Sequence, residues 1–220
     1  DGNAAALFAM LAGVGLSFTS GGSNRATGAK LWTARKRLFI RSLLIFFLGV
    51  AINQVVTPPV FNILPYYGLL FLAAVFFLGM RMRWLIVSAS ITLVVMPIFI
   101  FIFNRHNDSE PMSNVKFIDL LNEPLASINT LFFVGAYPVA TWFFYILVGM
   151  IIGRLRLKIM TVQAYLPFIG FIVAVSTWII SYVGMWFAGG WEALVAAEPQ
   201  LSPEEIETFI IYGAEFDYLP

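Results

Sequence analysis

Long apolar stretches alternate with short polar segments along the whole chain. The length of each apolar stretch is near the roughly 20 residues that a helix needs to cross a membrane core of about 30 Å. The six stretches cover residues 3–20, 38–56, 64–80, 84–103, 139–153 and 164–188. Within them apolar residues run continuously rather than alternating, which favours helices over the strands of a membrane barrel. The pattern predicts an all-α, polytopic transmembrane helical bundle of about six spans over residues 1–190.

The fifth stretch is the shortest, and apolar residues 131–137 lie directly before it. Pro138 separates the two parts, and a proline inside a helical pattern predicts a kink. The preceding outer segment, residues 104–138, is polar at first and apolar from Leu120. This pattern predicts a loop that folds back over the bundle.

Residues 191–220 differ from the rest because they carry seven of the 12 acidic residues. Within them, Ser202-Pro203-Glu204-Glu205 has the pattern of a capping box with proline at the first helical position. We therefore expect an acidic extracytoplasmic segment with a short amphipathic helix over residues 203–212.

The composition narrows the class of protein. Apolar residues make up 60% of the chain and charged residues 11%, whereas soluble domains carry about 25% charged residues. A soluble enzyme is therefore excluded. Cysteine is absent, which excludes disulfides and thiolate chemistry, and the single histidine, His106, excludes a His-rich metal site. We expect no metal and no nucleic-acid partner; the expected partner is membrane lipid.

The positions of the charges predict the orientation. Eleven of the 13 basic residues lie in the first, third and fifth connections, and all acidic residues lie in the other segments or at the ends. Basic loops stay in the cytoplasm. The chain is therefore expected to be integral to a bacterial plasma membrane, with basic loops cytoplasmic, acidic loops extracytoplasmic and both ends outside. The start without methionine or a signal segment also predicts that the chain belongs to a longer protein.

Small residues recur at helical spacing in two stretches. Ala5, Ala9, Gly13 and Ser17 form a ridge on the first, and Gly149 and Gly153 form a GxxxG motif on the fifth. Such ridges let helix backbones approach closely. Packing inside the bundle is the favoured interpretation; the alternative is docking of other membrane subunits, together with the acidic outer tail.

Few polar side chains are candidates for chemistry, and no catalytic residue is identified among them. Arg35, Arg37 and Arg41 follow one another at the inner side of the second stretch, where arginine either reaches to lipid headgroups or grips phosphate. Candidates for an outer polar site are Asn53, Gln54, Asn62, Tyr66 and Tyr67. The tyrosines alternatively belong to an interfacial aromatic belt.

Four stretches resemble a known family. They are residues 4–14, the run from Arg41-Ser42 through Gly49 to Asn53, residues 63–71 beginning Ile-Leu-Pro-Tyr-Tyr-Gly, and residues 145–155. In order and spacing they are similar to the transmembrane acyltransferase family that includes heparan-α-glucosaminide N-acetyltransferase and its bacterial relatives.

The resemblance implies transfer of an acyl group from cytoplasmic acyl-CoA to a glycan or glycolipid on the far side. Arg35, Arg37 and Arg41 would then bind the anionic CoA, and the outer polar residues would bind the acceptor. The chain departs from the family at the catalytic histidine, which the resemblance places before Asp1. His106 does not match it.

Two alternatives from other classes remain. One is a non-catalytic subunit of a larger membrane complex. The other is a small-molecule or lipid transporter, which is disfavoured because the six stretches carry no acidic or basic side chain at mid-depth. A histidine upstream of Asp1 would favour the enzyme over the subunit.

Overall fold

A computed structural model describes residues 2–56, 61–105, 114–187 and 189–197 of the protein. All regular secondary structure in these residues is helical, as the apolar pattern predicts. The helices are α1 (Gly2–Thr19), α2 (Gly28–Ile52), α3 (Leu64–Phe77), α4 (Met82–Arg105), α5 (Phe117–Asn122), α6 (Pro124–Asn129), α7 (Val139–Arg154), α8 (Met160–Phe187) and α9 (Gly190–Ala197). A π-helical turn, Thr130–Val134, follows α6 directly. His106 and residues 203–212 lie outside the described residues.

The chain forms two compact units, residues 1–155 and residues 156–220. The first contains α1 to α7. The second contains α8 and α9, which are joined by the parallel stack of Trp186 on Trp191 with ring centres 5.3 Å apart. The predicted boundary at residue 190 between a bundle and an acidic outer segment stays a prediction.

Two described helices are long and apolar enough to cross a membrane, namely Met82–Ile100 within α4 and the whole of α8. A third span results if Pro124–Val134 and Val139–Arg154 are counted as one broken helix. Helices α1 and α3 are apolar but shorter. The chain is thus helical and suited to membrane insertion, and the larger number of six spans stays a prediction.

The second helix is longer than its apolar stretch. Sequence patterning begins this element at Leu38, whereas α2 begins at Gly28. The additional turns carry Lys30, Arg35 and Arg37, and lysine and arginine are good helix formers. An apolar run therefore marks only the part of the helix that suits lipid. Lys30, Arg35 and Arg37, which the pattern places before the helix, lie on helical faces instead.

The predicted kink at Pro138 is confirmed. The π-helical turn ends at Val134, α7 begins at Val139, and the two parts of the broken helix meet at 48°. Proline lacks the amide hydrogen that would continue a helix, and it occupies the residue just before α7. Position 135, directly after the π-helical turn, requires glycine, because a β-carbon there would lie 2.3 Å from the Tyr66 hydroxyl.

The small-residue ridges pack inside the first unit, as predicted. A β-carbon on Gly13 would lie 2.3 Å from the carbonyl oxygen of Ile146, and one on Gly149 would overlap the Met10 carbonyl. A β-carbon on Gly153 would lie 2.6 Å from the Ser17 β-carbon and 2.9 Å from the Val14 carbonyl oxygen. Backbone therefore contacts backbone along the α1–α7 interface, which only glycine permits.

Helices α2 and α3 form a second close pair. A β-carbon on Gly49 would lie 2.6 Å from Pro65, and one on Gly68 would lie 2.6 Å from the Phe46 backbone. The two close pairs, α1–α7 and α2–α3, leave between them the cavity described below.

Three arginines satisfy backbone carbonyls at the end of α3. Arg25 and Arg35 each donate one hydrogen bond, over 3.3 and 3.2 Å, and Arg154 donates to two carbonyls. The acceptors are the carbonyl oxygens of Phe76, Leu78, Gly79 and Met80. The last carbonyls of a helix have no intrahelical partner and carry partial negative charge. These three arginines therefore cap the carboxyl end of α3.

Candidate binding site

A cavity of about 1030 Å³ lies between α1, α2 and α3. It reaches the upper end of the roughly 300–1,000 Å³ typical of small-molecule sites. Helix α1 runs antiparallel to α2, so one end of the cavity has Thr19 and Lys30 on its walls. The opposite end has Phe8, Ile45 and Leu64. A ligand with two chemically different parts fits such a cavity.

Cationic side chains occupy the first end. Lys30, Arg37 and Arg41 all line the cavity from α2. At 3.6 residues per turn, their spacing places them on one face of the helix, over about 16 Å of its axis. None of the described lining residues is acidic. Uncompensated cations in a cleft attract anions and raise their local concentration.

No described contact neutralises the charge of Lys30, Arg37 or Arg41. The guanidinium carbon of Arg41 lies 5.7 Å from the centre of the Phe71 ring, which is a cation–π contact. Among the described residues, no hydrogen bond or ion pair engages Lys30 or Arg37. All three side chains are exposed, so they keep their hydrogen-bond donors for a ligand.

The opposite end of the cavity is apolar and aromatic. The Tyr67 hydroxyl donates to the carbonyl oxygen of Ala5 over 3.0 Å, which connects α3 to α1. The Tyr67 ring meets Phe8 edge to face at 5.2 Å and Phe71 at 5.9 Å. Of the predicted acceptor-binding residues, the structure therefore places Tyr67 on the wall of this cavity.

Arg35 does not line the cavity, although sequence analysis groups it with Arg37 and Arg41. Its side chain donates to the carbonyl of Phe76 at the end of α3. Position 35 lies about 200° around the helix from position 37, because residues two apart do not share a face. The structure thus brings together two of the three predicted CoA-binding arginines.

Asn53 and Asn62 contact each other inside the protein. The Asn62 amide donates to the Asn53 side-chain oxygen over 2.7 Å and to the Gly49 carbonyl over 2.9 Å. Asn53 donates in turn to the Val115 carbonyl, and Asn114 accepts from the Asn62 backbone. Both amides are buried. The network joins the end of α2, the start of α3 and the segment before α5, and a contact of these amides with an acceptor stays a prediction.

The other two predicted acceptor residues also lie off the cavity wall. Gln54 is exposed and reaches back to the Val50 carbonyl at 3.5 Å. Tyr66 is buried, hydrogen-bonds the backbone of Ala136 and meets the Tyr137 ring edge to face at 5.7 Å. It fixes the segment after the π-helical turn against α3.

Lys30, Phe8 and Phe71 were missed as site residues. Lys30 lies before the predicted start of the helix at Leu38, so the apolar pattern places it in a loop. The signal was present: with α2 extended to Gly28, residues 30, 33, 37, 41 and 45 form one face that changes from basic to apolar.

In the part of the chain that the structure describes, no three His, Asp or Glu side chains come together as metal ligands. No protein-family model, curated protein or solved structure matches the chain.

Proposed function

We propose that the chain forms the acyl-CoA-binding part of an integral membrane acyltransferase. The acyl group would pass to an extracytoplasmic glycan or glycolipid. The observation that carries the proposal is the cavity between α1, α2 and α3, which combines three cations with an apolar wall. Acyl-CoA has the matching chemistry, since it joins a polyanionic head to an apolar tail.

The order of side chains along α2 supports one orientation of the ligand. Lys30 and Arg37 would bind phosphate oxygens, and Arg41 lies nearest the apolar part, beside Phe71. The acyl chain would then extend towards Ile45, Leu64 and Tyr67. In this orientation the head enters from the side with the basic connections, which the positive-inside rule places in the cytoplasm.

The proposed reaction is transfer of the acyl group from the thioester of acyl-CoA to the acceptor. The acceptor oxygen or nitrogen bonds to the acyl carbon, the carbon–sulfur bond breaks, and the acceptor proton ends on the CoA thiol. A base that removes this proton is required, and the family resemblance assigns that role to a histidine before Asp1. The residues described here would bind and orient the donor.

Binding of acyl-CoA to the purified protein in nanodiscs of neutral lipid tests the proposal. Octanoyl-CoA should bind, and Lys30→Ala or Arg37→Ala should each weaken it about tenfold or more, the scale of a hydrogen bond to a charged group. Lys36→Ala is the matched control: it removes the same charge from an exposed position of α2 that does not line the cavity. Equal effects of Lys30→Ala and Lys36→Ala would show that only net charge matters and would contradict the proposed site.

A second variant should fill the cavity without a clash at its β-carbon. A β-carbon on Gly15 meets no atom within 4 Å, and Gly15 lines the cavity. Gly15→Leu should therefore fold normally and abolish octanoyl-CoA binding. Unchanged affinity in this variant would place the binding site elsewhere.

The internal use of the small-residue ridges weakens the alternative of a non-catalytic subunit. Gly13, Gly149 and Gly153 all lie in the α1–α7 interface, so they offer no free surface to another chain.

A further inference from the structure

The cavity is open along one side. Helix α1 packs on α7 and α2 packs on α3, whereas α1 and α2, which follow each other in the chain, are not a closely packed pair. Tyr67 of α3 connects to α1 through its hydroxyl bond to the Ala5 carbonyl and its ring contact with Phe8. Among the described helices of the first unit, the separation of α1 from α2 therefore leaves an opening along the cavity.

The exposure of the lining residues agrees with this geometry. The floor of the cavity is buried and includes Leu38, Tyr67 and Phe71. On the wall formed by α1, Leu11 is 59% exposed and Phe8 is 61% exposed. A cavity with a buried floor and exposed walls is a groove. Because the exposed side chains of α1 are apolar, the groove suits an opening towards the lipid of the bilayer.

The cations of the groove lack a counter-charge. Arg41 lies within the apolar run of α2 that begins at Leu38, and a charged side chain inside a membrane is costly unless it is paired. Its described contact is the ring of Phe71, and no acidic residue occurs among the described lining of the cavity. An anion from outside the protein would supply the missing charge. Arg37 lies one helical turn away on the same face and would share it.

We propose that the groove binds one anionic phospholipid from the leaflet beside Lys30 and Arg37. Arg37 and Arg41 hold its phosphate, and one of its acyl chains lies in the groove. Basic pockets between membrane helices recognise anionic headgroups in this way. The cluster disfavours a zwitterionic lipid because such a headgroup brings its own cation. This lipid site does not require that the protein bind acyl-CoA, so it goes beyond the proposed function.

The apolar lining has the dimensions for a lipid chain. Arg41 lies at the level of Phe71, and the lining continues to Leu64, about 10 Å farther along α3. Half of a bilayer core is about 15 Å thick, so the lining follows most of one leaflet. The chain enters sideways between α1 and α2 and does not have to pass through an end of the cavity. The second acyl chain of the lipid stays in the bilayer.

The lipid and acyl-CoA would compete for the cavity, since each joins a phosphate to an apolar chain. This consequence rests on the proposed function, whereas the lipid site itself does not. A bound lipid would neutralise the cations and exclude water from the groove until the donor displaces it.

Native mass spectrometry of the purified protein in a neutral detergent tests the site. One phosphatidylglycerol should stay bound at about tenfold lower concentration than phosphatidylcholine with the same acyl chains. Arg37→Ala and Arg41→Ala should each weaken its binding about fivefold or more, the scale of one basic side chain at an anionic lipid. Both side chains are exposed, so these variants should fold. Lys36→Ala is the matched control, because Lys36 is exposed on α2 and does not line the cavity.

Two further arms test the apolar part of the site. Gly15 lines the cavity, and a β-carbon there meets no atom within 4 Å, so Gly15→Leu should fill the groove and prevent retention of phosphatidylglycerol. Glycerophosphate, which has the phosphate without the chains, should bind far more weakly than the lipid. Retention of the lipid by Gly15→Leu, or equal affinity for glycerophosphate, would reduce the site to an anion site and overturn the lipid groove.

The remaining outcomes separate the two proposals. Equal retention of phosphatidylglycerol and phosphatidylcholine, or equal effects of Arg37→Ala and Lys36→Ala, overturns the lipid site. Displacement of phosphatidylglycerol by octanoyl-CoA supports the lipid site and the proposed function together. Retention of phosphatidylglycerol without any binding of octanoyl-CoA supports the lipid site and contradicts the proposed function. Binding of octanoyl-CoA without retention of phosphatidylglycerol does the reverse.

Discussion

The guanidinium group of Arg41 lies over the ring of Phe71, 5.7 Å from its centre, on the wall of the cavity between α1 and the α2–α3 pair. A cation–π contact orients a guanidinium without neutralising it, whereas a carboxylate partner would do both. Arg41 is therefore held at the boundary between the cationic and apolar parts of the cavity, with its charge available to a ligand.

Replacement of Arg41 tests whether it grips a phosphate. Arg41→Ala should weaken octanoyl-CoA binding by about 1.5–3 kcal/mol, or about 10- to 150-fold, the range for a hydrogen bond to a charged group. Arg41→Lys should recover only part of this, because an ammonium cannot make the two-pronged contact of a guanidinium. Isothermal titration calorimetry measures both variants. If Arg41 only reaches to lipid headgroups, neither change should alter the affinity.

A pair of glycines two residues apart on α1 should respond oppositely to alanine. Gly13→Ala forces a β-carbon to 2.3 Å from the Ile146 carbonyl, and overpacking of this kind typically costs about 1–3 kcal/mol. Gly15→Ala meets open space and should stabilise the helix by about 0.5–1 kcal/mol. Thermal unfolding of the two variants in the same detergent measures the difference. Equal stabilities would show that α1 does not pack on α7 as described.

The asparagine network predicts a stability effect at Asn62. Asn62→Ala removes the donor to Gly49 and to Asn53. The Gly49 carbonyl keeps the backbone amide of Asn53 as a donor, so the Asn53 side-chain oxygen is the acceptor left unpaired, which costs about 1–3 kcal/mol. Asn24→Ala, at an exposed loop position, should change stability by no more than about 0.5 kcal/mol. Denaturant unfolding gives both values. A stable Asn62→Ala variant with altered acceptor binding would instead favour the role predicted from sequence.

The proposed orientation is testable by cysteine labelling, because the chain contains no cysteine. Ser202→Cys should react with a membrane-impermeant thiol reagent in intact cells, since the acidic tail is proposed to lie outside. Ser23→Cys, in the connection between α1 and α2, should react only after the membrane is opened. The reverse pattern would contradict the orientation derived from the charges.

Sequence alone determined the features that depend on composition along a single helix. Continuous apolar runs predicted helices because a backbone in lipid satisfies its hydrogen bonds internally. Pro138 predicted the bend before α7, and the small residues of α1 and α7 predicted a close helix contact. The bend and the contact depend on the geometry of a few neighbouring residues, which the sequence displays. Arg37, Arg41 and Tyr67 are candidates from sequence because polar groups are rare in so apolar a chain.

Only the tertiary structure decided how these residues are used. Arg35 and Arg37 belong to the same basic run in the sequence. Arg35 caps α3 and Arg37 lines the cavity, because helix residues two positions apart point about 200° away from each other. Asn53 and Asn62 pair with each other, which depends on how α2 packs on α3. The cavity itself exists because Gly13 and Gly149 draw α1 onto α7 while Gly49 and Gly68 draw α2 onto α3, and no pattern within one helix encodes the space between two pairs.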